Sequence, residues 1–154
     1  MLAVPSGDDW IALTEEELPV ERVRQWTVVP ASGAHVVFCG TVRDHAEGRT
    51  DVVALEYEAY SEHVEPRLLA IATELRAKWP ETLRVALLHR IGRLSLTEVS
   101  VVVAVSSPHR GACFEAAEYG IDTLKETAPI WKKEIWADGE GWGTGARPVR
   151  EVSP

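Results

Sequence analysis

The chain has 154 residues, of which 45% are hydrophobic and 26% charged, and this composition suits one compact domain with a sizeable core. Its formal net charge of -8 excludes a general nucleic-acid-binding surface, since such surfaces need an excess of lysine and arginine on one face. No apolar run approaches the ~20 residues that span a bilayer, and the N-terminus lacks the features of a secretory signal. With only two cysteines, Cys39 and Cys113, we expect a protein of the reducing cytoplasm.

The N-terminal part predicts a flexible arm followed by a helix. Residues 1–9 include proline, serine, glycine and two aspartates, a composition that favours a loose arm. Thr14, with Glu17 three residues later, has the form of a capping box and predicts a helix that extends to about Trp26. Pro19 lies early enough in this helix to be tolerated.

Four runs rich in β-branched and aromatic residues predict strands, at residues 34–42, 53–59, 83–91 and 98–106. The second run alternates apolar and polar residues, which is typical of a strand with one face in water. The last two runs are joined near Gly92 and predict an antiparallel, hairpin-like pair.

Two further helices are expected. From His63 to Trp79, apolar residues recur at steps of three and four, which predicts one helix that packs on the sheet. Ser107 as N-cap and Pro108 as first helical residue predict another helix, ending before Pro129. Because strands and helices follow each other irregularly, we expect an α+β fold with an antiparallel or mixed sheet packed with helices. We expect a single catalytic domain over residues 10–147 and a C-terminal tail over residues 148–154.

Three cationic residues occupy positions that favour anion binding. His109 and Arg110 lie at the predicted start of a helix, where free N–H groups and the positive end of the helix dipole already attract an anion. Arg43 ends a strand and opens a glycine-containing loop, a common place for ligand-binding residues. Taken singly, each of these residues fits a surface ion pair better, because such pairs are common.

Lys125 and Lys132 lie on either side of Pro129. If the chain turns back there, both ammonium groups could face one pocket, and each would lower the proton affinity of the other. An amine tuned in this way serves as a base or nucleophile near neutral pH. The alternative is a solvated helix end whose lysines complement the helix dipole, and the residues alone favour it.

The cysteines and histidines give weaker signals. Cys39 and Cys113 fit small buried hydrophobic residues better than reactive thiols. His35, His45, His63 and His89 show no metal-binding spacing, so neither a metal nor another resident cofactor is expected.

Six short blocks resemble the molybdopterin synthase large-subunit family and occur in that family's order. They are residues 38–43 (FCGTVR), 55–60 (LEYEAY), 89–92 (HRIG), 107–110 (SPHR), 121–125 (IDTLK) and 129–134 (PIWKKE). Any one block is weak evidence, but the ordered set is highly specific. The resemblance runs from about residue 10 to Trp142. The extended N-terminal arm and the glycine-rich segment from Asp138 to Gly145 depart from the commoner family pattern.

The resemblance implies an α/β hammerhead fold and a central homodimer that binds a small ubiquitin-like sulfur carrier at each end, giving a heterotetramer. The carrier's C-terminal Gly-Gly thiocarboxylate would deliver sulfur to cyclic pyranopterin monophosphate, and two rounds would make the molybdopterin dithiolene of the molybdenum cofactor. It implies that Lys125 and Lys132 are catalytic and that the pocket draws on both protomers. The implied substrate-binding positions are Thr41, Val42, Arg43, His109, Arg110, Lys125, Lys132, Lys133, Glu134 and Arg147. No nucleic acid or membrane partner is implied.

Two other functions compete with this one. The chain could be a binding protein that keeps the anion pocket without turnover. It could instead be an unrelated thioester or acyl-transfer enzyme with Cys39 or Cys113 as nucleophile, although local sequence places no histidine to activate either thiol.

Overall fold

The computed structural model describes residues 1–142, so Arg147 and the tail 148–154 lie outside the described residues. Within this range the chain forms eight strands and three helices. In chain order they are β1 (Asp9–Thr14), α1 (Val20–Thr27), β2 (Ala34–Thr41), β3 (Val52–Ala59), α2 (Ser61–Lys78), β4 (Val85–Arg90), β5 (Gly92–Ser95), β6 (Val99–Ser107), α3 (Arg110–Thr127), β7 (Ile130–Trp136) and β8 (Gly139–Trp142). This arrangement confirms the predicted α+β class.

The first sheet has the strand order β1-β4-β6-β2 and is covered by helices on both faces. Strand β1 runs parallel to β4, and the other neighbours are antiparallel, so the sheet is mixed. Val85 and Leu87 pack in the core formed with α2 and α3, whereas Ala86 and Leu88 pack with α1. Burial on both faces explains why β4 and β6 are almost continuously apolar.

The second sheet has the strand order β5-β3-β7-β8 and is antiparallel throughout. Its small apolar cluster contains Val42, Val52, Leu55 and Leu94. The chain passes between the two sheets after β2, through α2, on either side of β5 and through α3. These crossings bring the ends of first-sheet strands next to the second sheet.

The predicted N-terminal helix is wrong in its first part. Thr14 is the last residue of β1 and not a helix cap, and α1 begins only at Val20, directly after Pro19. The parallel pairing of β1 with β4 buries Trp10 and Ala12, and these long-range contacts prevail over the local capping pattern. Proline before the first helical residue lacks the N–H that the helix would leave unpaired.

Two boundaries near predicted turns also differ. Strands β4 and β6 pair as predicted, but β5 lies between them and joins the second sheet, so they do not form a simple hairpin. Ser107 ends β6 opposite Ala34, and His109 occupies the N-cap position of α3. The strands β7 and β8 form a hairpin that the sequence patterns did not predict.

The N-terminal segment contacts the rest of the domain. Asp9, assigned to the arm from the sequence, is the first residue of β1, and its carboxylate accepts hydrogen bonds from Arg76. Leu2 packs against the core beside α1. Within residues 1–142, no helix is both long enough and apolar enough to cross a membrane.

Leu68 of α2 provides a test of the core. Its side chain is fully buried, whereas the neighbouring Leu69 is 50% exposed. Leu68→Ala should lower the free energy of unfolding by about 3 kcal/mol, because it removes buried methyl groups and leaves a cavity. Leu69→Ala, the matched control, should cost less than about 1 kcal/mol. Urea unfolding would measure both, and equal losses would contradict the placement of this helix.

Candidate functional site

A cavity of about 580 Å³ opens where the two sheets meet the end of α3. Its floor is formed by strand ends of the first sheet, since β2 and β4 end there and β6 begins there. Gly40 and His89 both lie opposite Val101 in the strand register. The second sheet supplies one wall through β3 and β7, and the last turns of α3 supply another.

Three cationic side chains line this cavity: Arg43 after β2, Lys125 in the last turn of α3, and Lys132 in β7. The turn at Pro129 reverses the chain between α3 and β7 and brings the two lysines to one cavity. Burial lowers the pKa of Lys132, and the charges of Lys125 and Arg43 lower it further, while the negative charge of Glu134 opposes them. The Lys132 amine is therefore easier to deprotonate than an ordinary lysine.

Glu134 is the buried acidic group of the cavity. It follows Lys132 by two residues in β7 and so shares its face of the strand. The residue is only 2% exposed, and its Oε1 accepts no hydrogen bond from the described residues. A buried carboxylate oxygen without a donor is costly, which makes it a candidate acceptor for a ligand N–H or O–H group.

His89 and Tyr57 form a second polar feature that the sequence patterns did not single out as a site. Tyr57 lies opposite Lys132 in the register of β3 and β7, and its ring packs edge-on against His89 with centroids 5.0 Å apart. Burial raises the pKa of the Tyr57 hydroxyl, partly offset by a hydrogen bond with Ser100. In the sequence, His89 belongs to the HRIG block and shows no metal-binding spacing, and its place in an apolar strand is the signal that indicates burial.

The His89 ring is held in a neutral form. It is 5% exposed, and Nδ1 lies 2.7 Å from the carbonyl oxygen of Arg90. Burial lowers the pKa of His89 to about 4, and the positive charge of Lys125 contributes, while the bond to Arg90 acts in the opposite direction. An uncharged imidazole thus lies in the wall of a cavity that also holds Arg43, Lys125 and Lys132.

Several residues expected to bind substrate lie outside this cavity. His109 and Arg110 are exposed at the start of α3, where His109 contacts Glu81 at 3.1 Å. Val42 is 2% exposed within the apolar cluster of the second sheet. Lys133 points to the opposite face of β7 from its neighbours, beside Glu140 and the ring of Trp142. Of the remaining expected positions, Thr41 lines the cavity, and Arg147 lies outside the described residues.

The two cysteines are not part of the cavity wall. Burial raises the pKa of both the Cys39 and the Cys113 thiols. Cys113 is fully buried, and its thiol lies 3.1 Å from the carbonyl oxygen of Val105. Protonated thiols are poor nucleophiles, so neither side chain has the environment of a reactive cysteine.

Comparison with known proteins identifies the class to which this fold and cavity belong. The model of the family described as "MoaE protein" matches residues 13–127. A molybdopterin synthase catalytic subunit from Halalkalibacterium halodurans is 47% identical over 131 residues, covering 85% of this chain and 83% of that protein. The chain therefore belongs to the MoaE protein family.

Solved structures agree with this assignment. The crystal structure of molybdopterin synthase from Staphylococcus aureus matches with a TM-score of 0.79 and 42% identity, covering 86% of this chain and 95% of that one. A complex of subunits 1 and 2 of molybdopterin-converting factor from Helicobacter pylori matches with a TM-score of 0.73, covering 93% of this chain and 95% of that chain. At 17% identity, the second likeness concerns the fold alone.

The pKa of His89 gives a pH prediction. The unfolded chain takes up a proton near the usual pKa of 6.5, but the folded chain does so only near 4. The contribution of His89 to the free energy of unfolding is therefore fully present above pH 6.5 and is lost as the pH falls towards 4. The loss amounts to roughly 3 kcal/mol. His89→Gln should weaken this pH dependence, as measured by urea unfolding from pH 7 to pH 4.

The exposed His63 in α2 offers the matched control. His63→Gln should leave the pH dependence of unfolding close to that of the wild-type protein. If His89→Gln has the same slope as the wild type, the imidazole does not titrate as described.

Proposed function

We propose that this chain is the catalytic subunit of a molybdopterin synthase. It transfers sulfur from the thiocarboxylated C-terminus of a small carrier subunit to cyclic pyranopterin monophosphate, and two transfers form the dithiolene of molybdopterin. The observation that carries the proposal is the cavity in which Arg43, Lys125 and Lys132 converge.

Charge supports this substrate pair. The chain has a net charge of -8, so on average its surface repels anions. The substrate phosphate and the carrier thiocarboxylate are both anionic and need a local concentration of positive charge. The cavity provides it, and its volume lies in the range of small-molecule sites.

The lysines suit the two halves of a sulfur transfer. The carrier sulfur first forms a bond to a substrate carbon while a carbon–oxygen bond at that carbon breaks. Water then attacks the carrier acyl carbon and the acyl–sulfur bond breaks, which leaves a carboxylate on the carrier and a thiolate on the substrate. Lys125 assists the attack at the junction of thiocarboxylate and substrate. Lys132, with its lowered pKa, accepts the proton of the attacking water or stabilises negative charge on the acyl oxygen.

The carrier as sulfur source removes the need for a persulfide on this chain. The raised pKa values of Cys39 and Cys113 support that role for the carrier and weigh against a cysteine nucleophile. A pure binding protein would need the cations but would gain nothing from an amine with a lowered pKa. We therefore favour an enzyme over both alternatives.

A homodimer would bring His109 and Arg110 to the site. Strand β2 is an edge of the first sheet, with Phe38 exposed near its middle. Gly33, just before β2, donates a hydrogen bond to the carbonyl of Ser107, so the start of α3 lies at one end of the strand and Arg43 follows the other. If two β2 strands pair antiparallel about a two-fold axis, each of these ends meets the opposite end of its partner.

This pairing places His109 and Arg110 of one protomer near the Arg43 cavity of the other. The strand is roughly 25 Å long, which is too far for these side chains to reach the cavity of their own chain along the sheet. We propose that a site shared in this way binds the substrate phosphate. Carriers at the two outer ends would complete a heterotetramer. Two unpaired cysteines fit a cytoplasmic location.

Lys125→Ala should lower conversion of cyclic pyranopterin monophosphate by about 100-fold or more, because it removes a charge that acts in the transition state. Single-turnover assays with thiocarboxylated carrier would measure it, with dimerisation checked by analytical ultracentrifugation. Lys78→Ala removes a lysine that packs over Tyr119 away from the cavity and should leave turnover unchanged.

Two outcomes of that assay would refute the proposal. Near-normal turnover by Lys125→Ala would remove the lysine from the mechanism. Loss of activity in a folded Cys39→Ser, Cys113→Ser double variant would restore the cysteine alternative. The wild-type chain without carrier should form no dithiolene.

Mixed dimers test the shared site. Lys125→Ala and the double variant His109→Ala, Arg110→Ala should each be inactive alone. A mixed dimer of the two keeps one intact site, because one protomer supplies Lys125 and the other supplies His109 and Arg110. Unfolding and refolding the mixture should restore about a quarter of wild-type activity if protomers pair at random. No recovery in mixtures that contain mixed dimers would show that each protomer uses its own residues.

A further inference from the structure

The cavity contains hydrogen-bond acceptors as well as cations, and two of these acceptors have no role in the proposed sulfur transfer. Phosphate and thiocarboxylate account for Arg43, Lys125 and Lys132, which are all donors. They leave unexplained the neutral ring of His89 and the buried carboxylate of Glu134. A ligand that carries hydrogen-bond donors apart from its anionic groups could bind to both His89 and Glu134.

The tautomer of His89 follows from its contact with Arg90. A carbonyl oxygen can only accept a hydrogen bond, so the imidazole Nδ1, 2.7 Å away, carries the proton. In the neutral ring, Nε2 then has the free lone pair. Packing against Tyr57 holds the ring plane, so this acceptor is fixed before any ligand arrives.

The surroundings of His89 keep it an acceptor. The other charged and titratable groups that line the cavity are Tyr57 from β3, Asp122, Lys125 and Glu126 from α3, Lys132 and Glu134 from β7, and Arg43 and His45 after β2. Burial disfavours a positive charge on the His89 ring, and the charge of Lys125 disfavours it further. The ring thus stays uncharged near neutral pH and donates nothing through Nε2.

We propose that His89 is a substrate-recognition residue, whose Nε2 accepts a hydrogen bond from a ring or amino N–H of the pterin. The inference rests on the proposed function and adds the recognition of the pterin ring, which the cations do not contact through its N–H groups. A pterin carries several N–H donors, and a buried donor without an acceptor is costly. The acceptors would therefore distinguish the pterin from other small phosphates that the cations would also attract.

Isothermal titration calorimetry with cyclic pyranopterin monophosphate tests this role. His89→Phe keeps an aromatic ring but removes Nε2 and should weaken binding by about 10-fold to 100-fold, since the pterin N–H loses its partner. His89→Gln keeps a neutral acceptor and should bind within about 5-fold of the wild type. Both variants should bind the thiocarboxylated carrier with unchanged affinity, because the proposed role of Nε2 is towards the pterin alone.

The outcomes separate this inference from the proposed function. Wild-type protein that does not bind the pterin phosphate overturns both. Wild-type binding with unchanged affinity in His89→Phe overturns the recognition role alone, and so does an equal loss in His89→Phe and His89→Gln.

A spectroscopic measurement on the wild-type protein does not depend on variants that fold. Nitrogen NMR of histidine at pH 7 should show His89 protonated at Nδ1 with an unprotonated Nε2, whose resonance moves when the pterin phosphate is added. A proton on Nε2, or an Nε2 resonance unaffected by saturating pterin phosphate, would overturn the inference.

Discussion

The position of β6 between β4 and β2 is the constraint on which the site depends. β6 is buried along almost its whole length and makes antiparallel ladders with both neighbours. Because its neighbours run opposite to it, their ends coincide with its beginning. His89, Gly40 and Ser100 therefore lie close together at one end of these strands. Because they come from distant parts of the chain, only the pairing of the strands brings them together. The apolar packing of the first sheet thus determines where polar chemistry can occur.

Burial has different chemical results for different groups in this cavity. It lowers the pKa of Lys132 and of His89, since the charged form of each is a cation that loses hydration. For the lysine the result is a more available amine; for the histidine it is a fixed neutral acceptor. The same desolvation leaves both cysteine thiols protonated. One physical effect therefore supports amine chemistry and disfavours thiol chemistry in the same protein.

The sequence allowed much of the fold to be predicted, because most of it follows from regular patterns. The buried strands and the helix around Leu68 have clear apolar periodicities, and the ends of α3 agree with proline positions to within a few residues. The capping pattern at Thr14 failed because the pairing of β1 with β4 is a long-range contact. Strand β7 escaped prediction because Lys132 and Glu134 occupy inward positions that a strand pattern reserves for apolar residues.

The candidate site was only partly accessible from the sequence for similar reasons. The local sequence left two alternatives for Lys125 and Lys132, a shared pocket or a solvated helix end. The choice depends on the direction of the chain after Pro129, which the second sheet determines. In the proposed shared site, the roles of His109 and Arg110 depend on a second copy of the chain, which no pattern within one chain describes. The role proposed for His89 depends on its tautomer and burial, which are properties of packing and not of composition.

The alternation along β7 has a consequence for how this segment can vary. Lys132 and Glu134 face the cavity, while Lys133 between them faces Glu140 on the other side. A shift of register by one residue would exchange the two faces, putting Lys133 inward and removing both neighbours from the cavity. After such a shift Lys133 would replace Lys132 in the cavity, but Glu134 would leave it, so the adjacent lysine does not restore the site. Changes in length between Pro129 and Glu134 should therefore be tolerated far less than changes in side chain.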